Sequence, residues 1–178
     1  MLLPLPLHHV YPVTIGVLSP LALKAPIVLP AGLTGPAITR AMRDGRASIV
    51  LGIPRLYRAV FQGISDRMAA SGRPAHLLFQ AMLTFSRLGE RLGLHMGRRL
   101  FGSLHKKTGP DIRLLASGGS ALDPQLRSSL EALGWPVMIG YGLTETSPLL
   151  TLRWPSEGHG DSVGRPLHGV ELRLDPSA

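Results

Sequence analysis

Cysteine is absent from the 178 residues. Disulfides, thiolate metal ligands and a cysteine nucleophile are thereby excluded for this chain. Aromatic side chains make up only 5%, too sparse for a surface on which bases stack, so nucleic acid is not an expected partner. Acidic residues are also short, at 11 Asp and Glu against 19 Lys and Arg, of which 16 are Arg, and the formal net charge is +8. The first 23 residues contain no Asp, Glu, Lys or Arg at all. A secretory signal needs a basic stretch ahead of its apolar run, and none is present. A spanning helix needs about 20 unbroken residues, whereas Pro4, Pro6, Pro12 and Pro20 interrupt this one. The segment therefore reads as buried globular chain. The expected location is the cytoplasm, with any membrane contact peripheral.

What is present is a 44% hydrophobic composition, enough for a sizeable core. The 21 Gly and 16 Pro are dispersed among apolar runs, as turns between many short elements. Residues 25–30 and 48–53 read as strands, with a helix over 37–43 between them. Pro54 starts a helix whose Leu56, Tyr57, Val60, Phe61 and Ile64 share one face. Residues 75–93 predict an amphipathic helix with a stripe of Leu78, Ala81, Met82, Phe85, Leu88 and Leu92. A shorter helix is expected over 97–106 and a strand over 112–116. Asp123-Pro124 supplies an N-cap and an N1 proline for a helix over 124–133. A strand follows over 137–141, and residues 162–175 alternate as a β tail. This order predicts an α/β fold, a parallel-rich sheet flanked by helices. Ligands in such sheets gather at the carboxyl ends of strands.

Four constellations could carry chemistry. In Ile139–Pro148, IGYGLTETSP, Gly140 and Gly142 bracket Tyr141 directly after a strand. Glycine lets backbone approach a ligand, and a tyrosine ring can stack. Thr144 and Glu145 add a hydroxyl and a carboxylate, which suit a phosphate with bound Mg²⁺; the plainer reading is a strand-to-loop turn with a solvated Glu. Ser117-Gly118-Gly119-Ser120 is either a ligand-facing turn or simply a tight strand-to-helix turn, and it is not GxGxxG. Pro6-Leu7-His8-His9-Val10-Tyr11 holds adjacent histidines that point to opposite sides of an extended chain, so they chelate poorly. They fit a pocket wall or a half-buried core position. Finally, Arg87, Arg91, Arg98, Arg99, Lys106 and Lys107 face only Glu90 within residues 87–107. That segment is a solvated face or a docking site for an anionic partner.

IGYGLTETSP resembles the adenine- and phosphate-contacting motif of the adenylate-forming (AMP-binding) superfamily, and ASGGSALD resembles its upstream glycine motif. PLHHVYP is similar to its acyl-pocket motif, SIVLGIPRLYRAV to its strand-to-helix segment, and SVGRPLHGVELRLD to the sheet that follows. The stretch between Ile64 and Pro110, with RRLFGSLHKKTG, looks most like the long-chain fatty acyl-CoA synthetases. The resemblance implies a ligase that activates a fatty acid with ATP to acyl-AMP and passes the acyl group to the thiol of CoA or an acyl carrier protein. It implies that Tyr141 and Gly142 bind adenine, with Gly118, Gly119 and Ser120 at the adenine edge. Thr144 and Glu145 become the catalytic residues at the α-phosphate, Glu145 the Mg²⁺ ligand, and His9 and Tyr11 the wall of the acyl pocket. Ser120-Ala121 departs from the family's more usual Ala-Pro.

The family's Ser/Thr/Gly-rich phosphate loop, its ribose-binding TGD motif and its C-terminal lysine do not occur in these residues. The chain thus reads as an internal portion of the large domain, 1–161 belonging to the α/β sheet and 162–178 opening the following β subdomain. By itself it is expected to be inactive and to self-associate through apolar surface left uncovered. A non-catalytic scaffold that binds an anionic partner through 87–107 is the competing expectation.

Overall fold

A computed structural model describes residues 1–155, 157 and 162–173. The core is a five-stranded sheet in the order β1 (Ile49–Gly52), β2 (Leu114–Ser117), β3 (Val137–Tyr141), β4 (Thr151–Arg153) and β5 (Arg165–Pro166). β1, β2 and β3 pair in parallel, and β3–β4 and β4–β5 pair antiparallel. Leu2 extends the sheet beyond β1. Its N–H donates to the Ile49 carbonyl (2.8 Å), its carbonyl accepts from Leu51 (3.0 Å), and it bridges Val28 on the far side.

Both faces of the parallel strands are covered, which explains why they read as continuous apolar runs rather than alternating ones. Successive residues enter different cores. Leu2, Val50, Leu115 and Val137 face the larger core, while Leu3, Leu51 and Ala116 face the smaller. The larger core packs under α3 (Gly35–Asp44), α4 (Pro54–Ala70), α5 (Arg73–Arg91), α6 (Gly97–Leu100), α7 (Gly102–Thr108) and α8 (Pro124–Ala132). The smaller is closed by residues 10–22, where α1 (Val10–Val13), a π-helical turn (Thr14–Leu18) and α2 (Ser19–Ala22) run on from one another.

The local signals act as their chemistry requires. The Asp123 Oδ1 accepts from the N–H groups of Gln125 (2.8 Å) and Leu126 (2.9 Å), with Pro124 at the first helical turn of α8. Thr34 Oγ1 accepts from Ala37 N–H (3.4 Å) at the start of α3. Tyr57 is buried on α4, and its hydroxyl donates to the carbonyls of Val50 (3.0 Å) and Ala116 (2.8 Å). Burial raises that phenol's pKa far above its ordinary value, so it remains a donor at any physiological pH.

Several expectations are corrected. Residues 25–30 do not form a strand; only Val28 makes a bridge. The helical stretch 10–22 was hidden by its prolines. Most of the expected stripe on α5 faces outward, with Leu78, Phe85, Leu88 and Leu92 56–70% exposed, while Met82 is half-buried against the larger core. The inward face consists of Phe79, Leu83, Ser86 and Gly89. The helix expected over 97–106 is two short ones, α6 and α7, joined at Phe101. In the tail only Arg165–Pro166 is strand, and 167–173 form a turn and irregular chain. β5 continues the same sheet by pairing with β4; the expected boundary at residue 161 and the tail positions 174 and 175 lie outside the described residues.

Two measurements test this packing. Tyr57→Phe should destabilise the fold by about 1–2 kcal/mol in chemical denaturation, since the hydroxyl bonds two carbonyls in a buried setting. The second concerns Glu131. Burial, with a smaller push from Glu90 and against the opposing pull of Arg127, raises its carboxyl pKa from 4.5 to about 7. The folded state then binds more protons than the unfolded one between these values, so this group's contribution falls as pH rises from about 5 to 7. Burial pushes the His105 imidazole the other way, and its contribution is lost as pH falls below the ordinary histidine range. Glu131→Gln should therefore raise stability at pH 8 by roughly 1 kcal/mol, after allowance for its partial solvent access, and remove the decline between about pH 5 and 7. An unchanged pH profile would count against the buried position of Glu131.

Candidate functional site

Two loops and one helix start meet at the carboxyl ends of β1, β2 and β3. The first loop leaves β2 at Ser117. Gly118 N–H donates to the Gly52 carbonyl (3.2 Å), which ties the loop to the end of β1. Gly118 is buried, and a Cβ there would stand 2.7 Å from the Tyr11 ring. Only glycine leaves room for that ring, so Gly118 and Tyr11 are positioned by one another. Gly119 has φ +81°, a conformation that also favours glycine.

Tyr11 enters from α1. Its hydroxyl is 3.3 Å from the Ala116 carbonyl and 3.5 Å from that of Gly52, reaching the same strand ends from the side opposite Tyr57. Burial raises its pKa well above the usual phenol range, so the hydroxyl donates. His9 precedes α1 at its N-cap and is exposed; its ring lies 4.2 Å from that of His8, tilted by 46°.

The second loop follows β3. A Cβ on Gly142 would collide with the Pro148 carbonyl, so the chain can turn back tightly only with glycine there. The return is locked by Leu150 N–H donating to the Tyr141 carbonyl (2.8 Å) and by Ser147 in the left-handed region at φ 56°. Between these points Thr144–Thr146 form a 3₁₀ turn. Thr146 Oγ1 accepts from Leu143 N–H (2.8 Å) and donates to the Leu143 carbonyl (2.9 Å). The local fixing thus falls to Thr146, which leaves Thr144 and Glu145 exposed and clear of ion pairs among the described residues.

These pieces enclose a cavity of about 460 Å³, within the ordinary range for a small-molecule site. It is lined by His9, Tyr11, Gly118, Gly119, Gly142, Thr144 and Glu145. Seven of the nine sequence-derived candidates therefore share one cavity. Ser120 and Tyr141 do not line it; both are exposed, Ser120 beyond the first loop's apex and Tyr141 at the end of β3. Leu5, Val10, Ile53, Leu143 and Leu149 complete the walls and were not singled out. Ile53 and Leu143 carried a usable signal, since each directly follows the carboxyl end of a strand or lies inside the glycine-rich motif.

Among the described residues no three His, Asp or Glu side chains are grouped so as to hold a metal ion. Mg²⁺ does not require such a cage. It keeps several waters and binds through one or two carboxylates with substrate phosphates, which the single exposed Glu145 beside the Thr144 hydroxyl could accommodate.

The basic segment 87–107 does not present one charged face. Arg98 donates to the Ile112 carbonyl (2.6 Å) and to that of Pro110, while Arg87 donates to Ser129 Oγ (2.6 Å). Lys107 lines an apolar groove between α4, α5 and α7. Among the described residues no helix is long and apolar enough to cross a membrane.

Comparison with known proteins bears on the family and the fold. Long chain acyl-CoA synthetase 7 of Arabidopsis thaliana is 28% identical over 134 residues, which is 72% of this chain and 19% of that protein. Long-chain-fatty-acid–CoA ligase 1 of Schizosaccharomyces pombe is 30% identical over 135 residues, 72% of this chain and 20% of that protein. The chain thus spans about a fifth of the length of the curated relatives it matches. Among solved structures, a malonyl-CoA ligase in ternary complex with methylmalonyl-CoA and AMP aligns with 99% of this chain and 31% of its own, at 27% identity and a TM-score of 0.65. The N-terminal domain of FACL13 from Mycobacterium tuberculosis shares the fold at a TM-score of 0.59 and 18% identity, over 88% of this chain and 30% of that one. The family of AMP-binding enzymes matches residues 1–177, so this chain belongs to the AMP-binding, adenylate-forming family and forms part of its N-terminal domain.

Proposed function

We propose that a protein containing this chain is a fatty acid–thiol ligase. A fatty acid carboxylate oxygen attacks the α-phosphorus of ATP, the bond to the β-phosphate breaks, and acyl-AMP and pyrophosphate form. A thiol of CoA or of an acyl carrier protein then attacks the acyl carbonyl, loses its proton, and AMP departs. The observation that carries this reading is the single cavity in which the hydroxyl of Thr144 and the carboxylate of Glu145 face apolar walls from Leu5, Val10, Tyr11 and Ile53. Similarity to long-chain acyl-CoA synthetases favours a long acyl chain.

In this reading Thr144 donates to an α-phosphate oxygen. Glu145 is the carboxylate that would hold Mg²⁺, which when bound neutralises phosphate charge. Gly118 and Gly119 bring bare backbone against the adenine edge, and Tyr11 with His9 bounds the acyl end. Tyr141 and Ser120, exposed beside the lining residues Gly142 and Gly119, are assigned to an adenine that extends beyond the cavity. The catalytic contribution of the site is positioning and charge stabilisation. The complete phosphate loop, ribose site and C-terminal lysine belong to other parts of such enzymes, so residues 1–178 alone should not support ATP–pyrophosphate exchange.

Two substitutions in the full-length protein test the assignment. Glu145→Gln keeps the side-chain size and removes the charge, and should lower acyl-AMP formation about 10²–10³-fold. Stability should change by less than about 0.5 kcal/mol, since the carboxylate is exposed. Glu171→Gln, an exposed carboxylate away from the cavity, is the control and should be silent. Wild-type rates for Glu145→Gln at limiting Mg²⁺ would overturn its role. Gly118→Ala forces the Tyr11 ring aside and should cost about 1–3 kcal/mol of stability. The same variant should raise the KM for fatty acid more than the KM for ATP; equal effects on both would remove Tyr11 from the acyl wall.

A further inference from the structure

A second cleft, of about 580 Å³, shares no lining residue with the cavity described above. Three helices line it, each through positions one turn apart. α4 contributes Arg58 and Gln62, α5 Arg87 and Arg91, and α8 Gln125 with Ser128 and Ser129. Residues at i and i+4 stand above one another on a helix surface, so three polar ridges converge on one space. The sum of charge is three guanidinium groups against one carboxylate, Asp123.

That carboxylate is already engaged. Its Oδ1 caps α8, and its Oδ2 lies 4.0 Å from Arg58. The other nearby acids face elsewhere: Glu90 contacts His95 at 2.7 Å, and Glu131 lies 3.9 Å from Arg127. Arg87 and Arg91 form a like-charged i, i+4 pair, which by itself disfavours the helix. Arg87 is held in place, because Nη2 donates to Ser129 Oγ at 2.6 Å and that hydroxyl in turn donates to the Gln125 carbonyl at 2.6 Å. Its Nε is buried and has no hydrogen-bond partner. Partial burial also pushes its pKa below the ordinary arginine value.

The geometry points to a second binding site in this cleft for a ligand bearing a phosphomonoester or diphosphate group. Arginine is the side chain suited to such a group, since its planar fork donates two parallel hydrogen bonds to phosphate oxygens. The two amides and the Ser128 hydroxyl supply further donors, and the volume admits a diphosphate with part of an attached organic group. The N–H groups that begin α8 are capped by Asp123, so the guanidinium groups and not the helix terminus carry the site.

The test is calorimetric titration of the chain, at fixed ionic strength, with pyrophosphate and separately with adenosine 3′,5′-bisphosphate. Arg58→Gln and Arg91→Gln alter exposed side chains, so the fold should persist, as melting curves would verify. Each is expected to weaken binding about tenfold or more, with Arg91→Lys recovering part of the loss. Arg99→Gln and Lys106→Gln remove the same charge from positions outside the cleft and should stay within twofold of wild type. Binding of pyrophosphate alone would identify a free diphosphate, and binding of the bisphosphate alone a nucleotide-borne phosphate; either supports the site. The inference is overturned if neither probe binds below about 10 mM, or if Arg99→Gln weakens binding as much as Arg91→Gln. It is independent of the ligase reading, because Arg58 and Arg91 line this cleft and not the cavity of Thr144 and Glu145, so loss of binding in their variants reports on the cleft.

Discussion

The carbonyl of Ala116 joins the two halves of this structure. It accepts from Tyr57 on α4 at 2.8 Å and lies 3.3 Å from the hydroxyl of Tyr11 on α1, so the helical layers on both faces of the sheet are referred to one point at the end of β2. A carbonyl oxygen has two lone pairs and can serve both donors. The next residues are Ser117 and Gly118, where the strand becomes the ligand-facing loop. Each phenol also reaches β1, Tyr57 at the Val50 carbonyl and Tyr11 near that of Gly52. The separation of β1 and β2 at their carboxyl ends is therefore fixed from above and below. A cavity built on those ends inherits that rigidity, which a site intended to hold reacting groups within a fraction of an ångström needs.

The sequence was most legible where a chemical signal acted alone. Asp123-Pro124, Thr34 with Pro36, and Pro54 after an extended residue each begin a helix, because each either satisfies an unpaired N–H or has none to satisfy. The apolar runs of β1, β2 and β3 were legible for a similar reason: helices on both faces leave no polar alternation to confuse them. Reading failed where two requirements competed. Pro12 and Pro20 argued against a helix over 10–22, yet Pro12 lies in the first turn of α1 and Pro20 near the start of α2. A proline ring clashes with the carbonyl four residues earlier; the wider π turn just ahead of Pro20 eases that contact, and Ser19 Oγ returns a bond to the Thr14 carbonyl at 2.9 Å. On α5 the large residues misled. The face that packs inward carries Ser86 and Gly89 beside Phe79 and Leu83, and the Ser86 hydroxyl donates to the Ala132 carbonyl at 2.7 Å. Ser86 permits close approach to α8 and Gly89 leaves room for the returning backbone at Leu94, merits that a hydrophobicity pattern does not register.

The site was legible for a different reason. Glycines that follow an apolar run mark places where backbone must pass close to something, and at Gly118 and Gly142 the close neighbours are the Tyr11 ring and the Pro148 carbonyl. What a one-dimensional reading could not provide was direction. Tyr141 and Ser120 stand beside the right glycines but at the rim. The six cations of 87–107 looked like one surface, but Arg98 braces the loop before β2, Arg87 and Arg91 line the cleft and Lys107 lines the groove, because the chain changes direction between α5, α6 and α7.

The change of pairing at β3 explains why chemistry gathers where it does. β3 is parallel to β2 on one side and antiparallel to β4 on the other. A parallel neighbour is reached by a long crossover, such as the one through α8, whereas an antiparallel neighbour is reached by a short return. The short return must therefore start at the same edge of the sheet where the crossover loop leaves β2. Tight reversal at Gly142 keeps that return local, and the antiparallel pair Tyr141–Thr151 sets its span. Within that span the Thr146 hydroxyl supplies the side-chain bonds to Leu143, and Thr144 joins the turn only through its carbonyl, which accepts from Ser147 N–H (3.3 Å). The exposure of Thr144 and Glu145 toward the cavity thus follows from strand order. A sheet that remained parallel past β3 would carry the chain away from Gly118, and the hydroxyl and carboxylate would not meet the glycine loop.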